Sequence, residues 1–433
     1  GSPRAHVCRR ARSDERRRRA TLPRAGTVGT PGASTQDGRL SLAGHAIRNA
    51  RALSGSCQQY GHFRLGRPSK LLDGALMAIR VDDLAAFFAW ADDQAGRYAV
   101  LRSETRNGQT TELDLLMDDT LAATTWTRFP DKRRGVKLDI YDVGGHGRSA
   151  YHGFSHLPAA LSNSILRGRR KEDGMFRASP ADELNALMYH AAYHKPVQSG
   201  FDLIAGAHPS TNRPYSKAIA QAAATAGVSP PHSLEEMHQR LSASGFGVDR
   251  ERLVAYVQQD FRKLRKSLFH AWLMNQATGE LNLFVIRGIA VKHGLVDALL
   301  EKLADAYELW QVKPVSFRDR LTKMKHMRGG KWKRGGKPHV AVVVFDPDPI
   351  ESTEQERAIH PYVFNARQFV KQGWRSWFTE TSGARSKDNP IHSTDNEAEA
   401  IGHLPLFFDS LEQAEILERL AARRSTQGPT NVS

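Results

Sequence analysis

Three carboxylates fall in a pattern that suits metal-ion chemistry. Glu112, Leu113 and Asp114 alternate acid, apolar and acid in a stretch typical of a β-strand. Side chains alternate between the two faces of a strand, so both acids are expected on one face. Asp139, in a second strand-like stretch, is expected to point toward them. Clustered carboxylates repel unless cations screen them, so the pattern predicts one or two Mg²⁺ ions that hold a nucleoside triphosphate. The alternative is an edge strand whose acids face water.

A second group of reactive side chains lies on a predicted helix. His190, His194 and Lys195 occupy positions i, i+4 and i+5, which places the two histidines on one helical face. Such a pair can take part in a metal site, but the sequence shows no third ligand. A buried histidine pair is the other explanation, and Lys195 is a candidate phosphate contact.

The segment Asn389–Asn396 (NPIHSTDN) has the residue types that phosphoryl transfer through a histidine needs. The attacking imidazole nitrogen must be neutral, and cations must gather the oxygens of the transferred group. Cations precede His392 at Arg367, Lys371, Arg375, Arg385 and Lys387. Asn389 and Thr394 add hydrogen-bond donors. His392 is therefore a candidate phosphate carrier. In the alternative explanation, Ser393–Asn396 cap the next helix and the histidine is incidental.

Strands and helices must position these side chains. The N-terminal half has three strand-like stretches, Arg97–Ser103, Glu112–Met117 and Val136–Val143. Asn107-Gly108 predicts a hairpin between the first two. The helical patterns are Asp82–Ala95, Pro180–Tyr193, a helix opened by a capping box at Ser233, and a long helix from Asp249 to Phe269.

From residue 281 the pattern changes to alternating strands and helices. The predicted elements are strand Leu281–Arg287, helix Val296–Ala306, strands Tyr307–Val315 and His339–Phe345, and a helix from Glu397 to His403 that Pro405 ends or kinks. This order, in about 130 residues, is typical of a ferredoxin-like α+β domain.

The N-terminal elements carry a resemblance to a known family. Tyr98–Arg102, Glu112–Leu116, the Asp139 strand, Ser179–Glu183 and Tyr189–Lys195 together resemble bacterial nucleotidyltransferase-like proteins over about 97–199. The resemblance implies that the strand acids Glu112, Asp114 and Asp139 hold metal, and that a helix packs on the sheet.

The C-terminal elements resemble nucleoside diphosphate kinases over about 281–410. The matching stretches are Leu281–Arg287, His293–Leu300, Val340–Phe345, Asn389–Asp395 and Leu406–Phe408. The resemblance implies a ferredoxin-like fold, a nucleotide with Mg²⁺, and phosphoryl transfer through His392. It also implies that Asn389 contacts ribose or phosphate, and that Arg287, Arg367 and Arg375 bind phosphate.

Length, charge and cysteine content limit how the chain can be organised. The 433 residues carry a formal charge of +16 and two cysteines, which predicts a reduced cytoplasmic protein without disulfides. No apolar run is long enough for a membrane span. We expect five regions: a disordered basic arm at 1–69, a nucleotidyltransferase-like α/β domain at 70–210, a helical segment at 211–279, a ferredoxin-like domain at 280–412 and a tail at 413–433.

The basic segments leave two partner classes open. Nine arginines lie between Arg4 and Arg24, and Lys323–Lys337 contains no acid, which suits either a nucleotide or nucleic acid. The leading hypothesis is a Mg²⁺-dependent nucleotidyl- or phosphoryltransferase acting on a nucleotide or phosphorylated sugar. The alternative is a non-catalytic regulator that binds nucleotide or RNA. It rests on two departures from the family patterns. Arg102-Ser103 stands where the nucleotidyltransferase-like proteins have Gly-Ser, and His403 stands where the nucleoside diphosphate kinases have Glu.

Overall fold

Two β-sheets, with helices packed on and between them, make up the described part of the chain. The computed structural model describes residues 78–106, 109–129, 134–146, 149–203, 214–264, 266–322 and 334–425. The chain divides into two units, Gly1–Gln58 and Gln59–Ser433, and every described residue belongs to the second. The expected basic arm at 1–69 and most of the basic stretch at 323–337 lie outside the described residues.

The N-terminal sheet has six strands among the described residues, in the order β1-β4-β3-β2-β6-β5. They are β1 (Ala78–Val81), β2 (Tyr98–Arg106), β3 (Gln109–Met117), β4 (Val136–Asp142), β5 (Arg170–Glu172) and β6 (Met175–Arg177). β2 and β3 pair antiparallel, as the hairpin prediction requires, whereas β3 and β4 run parallel. The helix α2 (Asp119–Arg128) makes the crossover between them. The helix α1 (Leu84–Asp92) lies earlier in the chain, between β1 and β2. It begins later than predicted because Asp83 is its N-cap.

The two faces of this sheet pack against different helices. Leu115 and its outer-face neighbours form a core with α1 and α2, whereas Leu116 packs inward against the central helices. Side chains alternate along a strand, so Glu112 and Asp114 share the inward face of Leu116. Asp139 shares that face on β4 because it is the register partner of Asp114.

Helices fill the space between the two sheets. They are α3 (Ala159–Gly168), α4 (Pro180–Tyr189), α5 (Pro214–Thr225), α6 (Leu234–Ala243), α7 (Arg250–Leu264) and α8 (Leu268–Asn275). Ser179 caps α4 and Ser233 caps α6, each by accepting a backbone N–H three residues on. Their apolar side chains join the inner faces of both sheets in one core.

Two of the predicted helices end earlier than expected. The helix predicted over Pro180–Tyr193 is α-helical only to Tyr189 and continues as one π-turn, His190–His194. The helix predicted to reach Phe269 ends at Leu264, because the Ser267 hydroxyl accepts from His270 N at 3.2 Å and starts α8. The physical cause in the second case is a new N-cap, which a continuous apolar pattern conceals.

The C-terminal sheet has four strands within the described ranges, in the antiparallel order β10-β7-β9-β8. The strands are β7 (Glu280–Arg287), β8 (Glu308–Pro314), β9 (Pro338–Asp346) and β10 (Ile391–Ser393). The helices are α9 (Gly288–Lys292), α10 (Val296–Ala306), α11 (Phe317–Thr322), α12 (Glu354–Ile359), α13 (Val370–Ser382), α14 (Glu397–Phe407) and α15 (Ser410–Ser425). Every residue of β7 is buried, because α10 and α13 cover one face and α14 the other.

The architecture is therefore a mixed α and β arrangement, with a mixed sheet on one side and an antiparallel sheet on the other. Pro405 lies inside α14, which runs on to Phe407. In the part of the chain that the structure describes, no helix combines the length and apolar character that crossing a membrane requires.

Candidate functional site

Glu112, Asp114 and Asp139 meet on the inner face of the N-terminal sheet. Asp114 and Asp139 are register partners on the parallel strands β3 and β4. One carboxylate oxygen of each residue lies within 4.8 Å of the others. Asp114 is buried, and the other two are half-buried. Two oxygen ligands at about 2.1–2.4 Å from one ion lie at most ~4.8 Å apart, so the spacing of these oxygens is compatible with a shared ion.

Two cations already contact these acids. Lys137 Nζ lies 3.1 Å from Glu112 Oε1 and 2.7 Å from Asp139 Oδ2. Arg102 Nη2 lies 2.7 Å from Asp114 Oδ2, across the register of β2 and β3. Two positive charges therefore face three carboxylates, which leaves the cluster with an excess of negative charge.

Burial shifts the pKa values of the three acids apart. It raises the pKa of Asp114 to about 6, against the opposing charge of Arg102. It also raises the pKa of Asp139, although Lys137 acts in the other direction. Burial alone raises the pKa of Glu112 as well, but Lys137 outweighs it and the net pKa is lowered. Carboxyl groups with separated pKa values are suited to different roles in one reaction.

One oxygen of Asp114 has no hydrogen-bond donor. Asp114 Oδ1 is buried and lacks a partner among the described residues, while Oδ2 accepts from Arg102. An unsatisfied buried acceptor costs about 1–3 kcal/mol, and more when it is charged. A bound cation would satisfy this atom. The all-oxygen donor set suits Mg²⁺, which prefers carboxylate and water oxygens.

Lys195 lies directly after the two histidines of α4's final turn. Its backbone N–H donates to His190 O at 3.0 Å, five residues back, which is the π-turn hydrogen bond. Burial lowers the pKa of both His190 and His194, and the charge of Lys195 lowers each further. The structure therefore brings Lys195 close to the imidazoles. Its phosphate contact stays a prediction.

Sequence reasoning missed four side chains of this region. Arg102 and Lys137 pair with the acids, Tyr215 hydrogen-bonds to Arg102, and His156 lies with His190 and His194. The spacing of Lys137, two residues before Asp139, was a usable signal, because it places both on one face of a strand. His156 gave no such signal, since it lies in a loop without periodicity.

His392 lies on β10, opposite Val285 of β7. The ring is half-buried. Burial is the main cause that holds the pKa of His392 well below its ordinary value, and the charges of Arg287 and Lys371 lower it further. The imidazole is therefore neutral at pH 7, which is the state that a nucleophilic histidine requires.

Three of the predicted phosphate-binding residues surround His392. Lys371 Nζ donates to Ser393 Oγ at 2.7 Å, and Arg375 Nη2 donates to Ile391 O at 3.0 Å. Arg287 is buried, and burial together with the charge of Arg375 lowers its pKa to about 10. Burial lowers the pKa of Lys371 too, and the charge of Arg375 adds to that effect. Cations that repel one another in this way form a region that an anion would stabilise.

The end of the basic glycine-rich stretch contacts this site. Asn389 N donates to Arg334 O at 2.7 Å, and the Asn389 side chain accepts from Ile391 N at 3.3 Å. Gly335 has φ +141°, and a Cβ there would lie 2.0 Å from Asn389 O. Only glycine permits this approach.

Two other predicted phosphate ligands have different surroundings. Thr394 is fully buried, and its Oγ1 accepts from Leu283 N at 3.1 Å. Arg367 Nε donates to Asp346 Oδ2 at 2.8 Å. Asp346 pairs with Glu280, five residues along β7 from the partner of His392, which is about 17 Å at ~3.4 Å per residue. The structure therefore pairs Arg367 with Asp346, and its phosphate contact stays a prediction.

The fold and its two polar sites define a mixed α/β protein whose inner faces carry a carboxylate cluster and a cation-lined histidine. No family model matches the chain, and no curated protein sequence matches it. Among solved structures it is similar to the nucleoside diphosphate kinase of Aquifex aeolicus, at 18% identity and a TM-score of 0.21. The match covers 31% of this chain and 99% of that one.

Proposed function

We propose that the chain is a Mg²⁺-dependent nucleotidyltransferase whose substrate is a nucleoside triphosphate, with the chemistry on a nucleotidyltransferase-like domain at 70–210. One observation carries the proposal. Glu112, Asp114 and Asp139 present oxygens within 4.8 Å of one another, and Asp114 Oδ1 is buried without a donor. A buried, unsatisfied carboxylate oxygen within such a cluster is what a divalent cation would stabilise.

Each side chain has a defined part in this reaction. Glu112, Asp114 and Asp139 would hold a Mg²⁺ ion, which would neutralise triphosphate charge. Arg102 and Lys195 bind phosphate oxygens. An acceptor hydroxyl forms a bond to the α-phosphorus while the bond to the bridging oxygen breaks, so that pyrophosphate leaves. Asp139 accepts the hydroxyl proton through a carboxylate oxygen that does not hold the ion.

The test follows the α-phosphate. The full chain is incubated with α-labelled ATP, Mg²⁺ and a panel of sugar phosphates, and transfer of label is followed by chromatography. Asp114→Asn is expected to lower transfer by about 100-fold or more. The control Glu236→Gln removes a carboxylate that pairs with Arg240 on α6 and should leave transfer unchanged. Equal transfer by Asp114→Asn and the unaltered chain would reject the proposal.

A second candidate function is phosphoryl transfer through His392 on a ferredoxin-like domain at 280–412. The observation that favours it is the group formed by Arg287, Lys371 and Arg375 around a neutral imidazole. The strand order β10-β7-β9-β8 also supports that fold. In this reaction His392 attacks the γ-phosphorus, ADP leaves, and the phosphoryl group then passes to an acceptor.

This second function is tested with γ-labelled ATP. Acid-labile label on the chain is expected, and His392→Ala should abolish it, whereas replacement of the exposed His360 should not. Label that survives in His392→Ala would refute the role. If ATP binds but neither the α-label nor the γ-label is transferred, the chain behaves as the non-catalytic regulator. That alternative rests on His403, which stands where a carboxylate would orient His392.

A further inference from the structure

Three histidines from separate parts of the sequence converge beneath the N-terminal sheet. His156 comes from the loop before α3, and His190 and His194 come from the π-turn that ends α4. One ring nitrogen of each lies within 4.8 Å of the others. The rings of His156 and His194 have centroids 4.6 Å apart, and those of His156 and His190 are 5.5 Å apart. The sequence pattern had left His190 and His194 without a third partner, and His156 supplies it.

The spacing of two ring nitrogens matches a metal site. His190 Nδ1 and His194 Nδ1 lie 3.3 Å apart. Two nitrogen ligands at 2.0–2.1 Å from one tetrahedral Zn²⁺ are separated by roughly 3.3 Å. The two histidines stand at the first and last positions of the π-turn. Such turns inside α-helices occur frequently at functional sites.

The Nε2 atoms of the same two rings already have hydrogen-bond partners. His190 Nε2 lies 3.0 Å from Tyr215 Oη, and His194 Nε2 lies 3.2 Å from Tyr256 Oη. When each Nε2 carries the proton and donates to its phenol oxygen, both Nδ1 lone pairs face each other. A shared cation removes that repulsion. Partners that fix the outer nitrogen of a histidine are characteristic of metal ligands.

His156 adds an independent observation. Its Nδ1 is buried and has no hydrogen-bond partner in the described part of the chain, while its ring stacks on Tyr141 at a centroid distance of 4.0 Å. Buried polar atoms are almost always hydrogen-bonded. An unpartnered imidazole nitrogen beside two converging imidazoles therefore points to a missing ligand rather than to ordinary core packing.

We propose that His156, His190 and His194 bind one transition-metal ion, with Zn²⁺ as the ion that this donor set suits best. Three protein nitrogens leave one position of a tetrahedral ion open. Arg102 and Lys195 lie near the rings, so the fourth ligand is an anion such as hydroxide or inorganic phosphate. This site is separate from the carboxylate cluster, whose oxygen donors suit Mg²⁺.

The protonation state of the three rings agrees with this proposal. Burial is the largest cause that lowers the pKa of each histidine, to about 3 for His156. The positive charges of Arg102 and Lys195 lower the pKa of His156 and His190 further. Only neutral imidazole binds metal, so at pH 7 no proton has to leave before an ion binds.

The test measures metal directly and needs no activity. The full chain is stripped with chelator, dialysed against Zn²⁺, passed through gel filtration and analysed for bound metal. A parallel sample takes Co²⁺, whose visible absorption reports tetrahedral nitrogen coordination. About one ion per chain and a tetrahedral Co²⁺ spectrum are expected. Absence of retained metal in the unaltered chain would overturn the proposal without any variant.

Variants identify the ligands. His190→Gln and His156→Gln are each expected to weaken Zn²⁺ binding by at least ~100-fold. His270→Gln is the matched control, because His270 is also a buried histidine and both its nitrogens have partners at 2.8 Å and 3.1 Å. His146→Gln tests the other described histidine-containing cluster, with Asp119 and Asp142. Metal that is lost with His146 and retained in the folded His190→Gln chain would place the ion there and refute the site.

Discussion

Arg102 forms an ion pair with Asp114 across the antiparallel pairing of β2 and β3, with Nη2 2.7 Å from Oδ2. The same guanidinium hydrogen-bonds to Tyr215, whose hydroxyl lies 3.0 Å from His190 Nε2. One arginine thus connects the carboxylate cluster to the histidine cluster. A ligand that draws Arg102 away from Asp114 would change the surroundings of both clusters.

The free energy of unfolding should fall as the pH rises through the titration of Asp114. The folded chain keeps the Asp114 proton up to a pKa of about 6, whereas an unfolded aspartate loses it near ~3.9. Between these values the folded state binds more protons, so rising pH destabilises it, by at most about 3 kcal/mol. Urea unfolding in EDTA from pH 4 to pH 7 should show this slope, and Asp114→Asn should reduce it. Parallel curves for the two proteins would contradict the assigned pKa.

Lys137 should act as the counter-charge of the cluster when no divalent cation is bound. Lys137→Met removes the ammonium that lies between Glu112 and Asp139. The loss should lower the free energy of unfolding in EDTA by about 1 kcal/mol. The value is modest because the ammonium is partly solvated. Mg²⁺ should restore more stability to this variant than to the unaltered chain. The control Lys171→Met, which breaks an exposed pair with Asp92, should show no Mg²⁺ dependence.

The carboxylate cluster was partly predictable from local pattern. The alternation around Leu113 placed Glu112 and Asp114 on one face, and the hairpin signal paired their strand correctly with β2. Cross-strand register was not predictable, because it depends on how the whole sheet packs. The contacts of Lys137 with Glu112, and of Arg102 with Asp114, depend on that register.

The histidine cluster lay beyond sequence reasoning for two physical reasons. A π-turn has no distinct residue pattern, so His190–His194 read as a continuation of an α-helix. His156 lies in the loop before α3, and the fold brings this loop next to His190, which lies more than thirty positions later in the sequence. In the C-terminal half, strand and helix periodicity predicted the four strands' neighbours α10 and α14 but not α13, the helix that carries Lys371 and Arg375. Those two residues were candidates because they precede His392 in the sequence, and a predicted helix played no part in it.

The cations around His392 should dominate binding of an anionic ligand there. Lys371→Met and Arg375→Met each remove one charged donor, and a charge-assisted hydrogen bond contributes about 1.5–3 kcal/mol. Each variant should therefore weaken ATP binding by roughly 10–100-fold in calorimetry. Arg357→Met is the control, since Arg357 pairs with Glu351 near α12. Unchanged affinity in both test variants would exclude this region as the nucleotide site.

Arg367 should stabilise the fold rather than bind phosphate. Its guanidinium pairs with Asp346, whose side chain is 1% exposed and also accepts from Asn365. Arg367→Met leaves that buried carboxylate with one donor fewer, so unfolding free energy should fall by about 2–4 kcal/mol, slightly less than for a fully buried pair. Adding Asp346→Asn should recover part of the loss, because the uncompensated charge is then removed. A tenfold loss of ATP affinity without loss of stability would instead return Arg367 to the phosphate-binding role that its sequence position predicts.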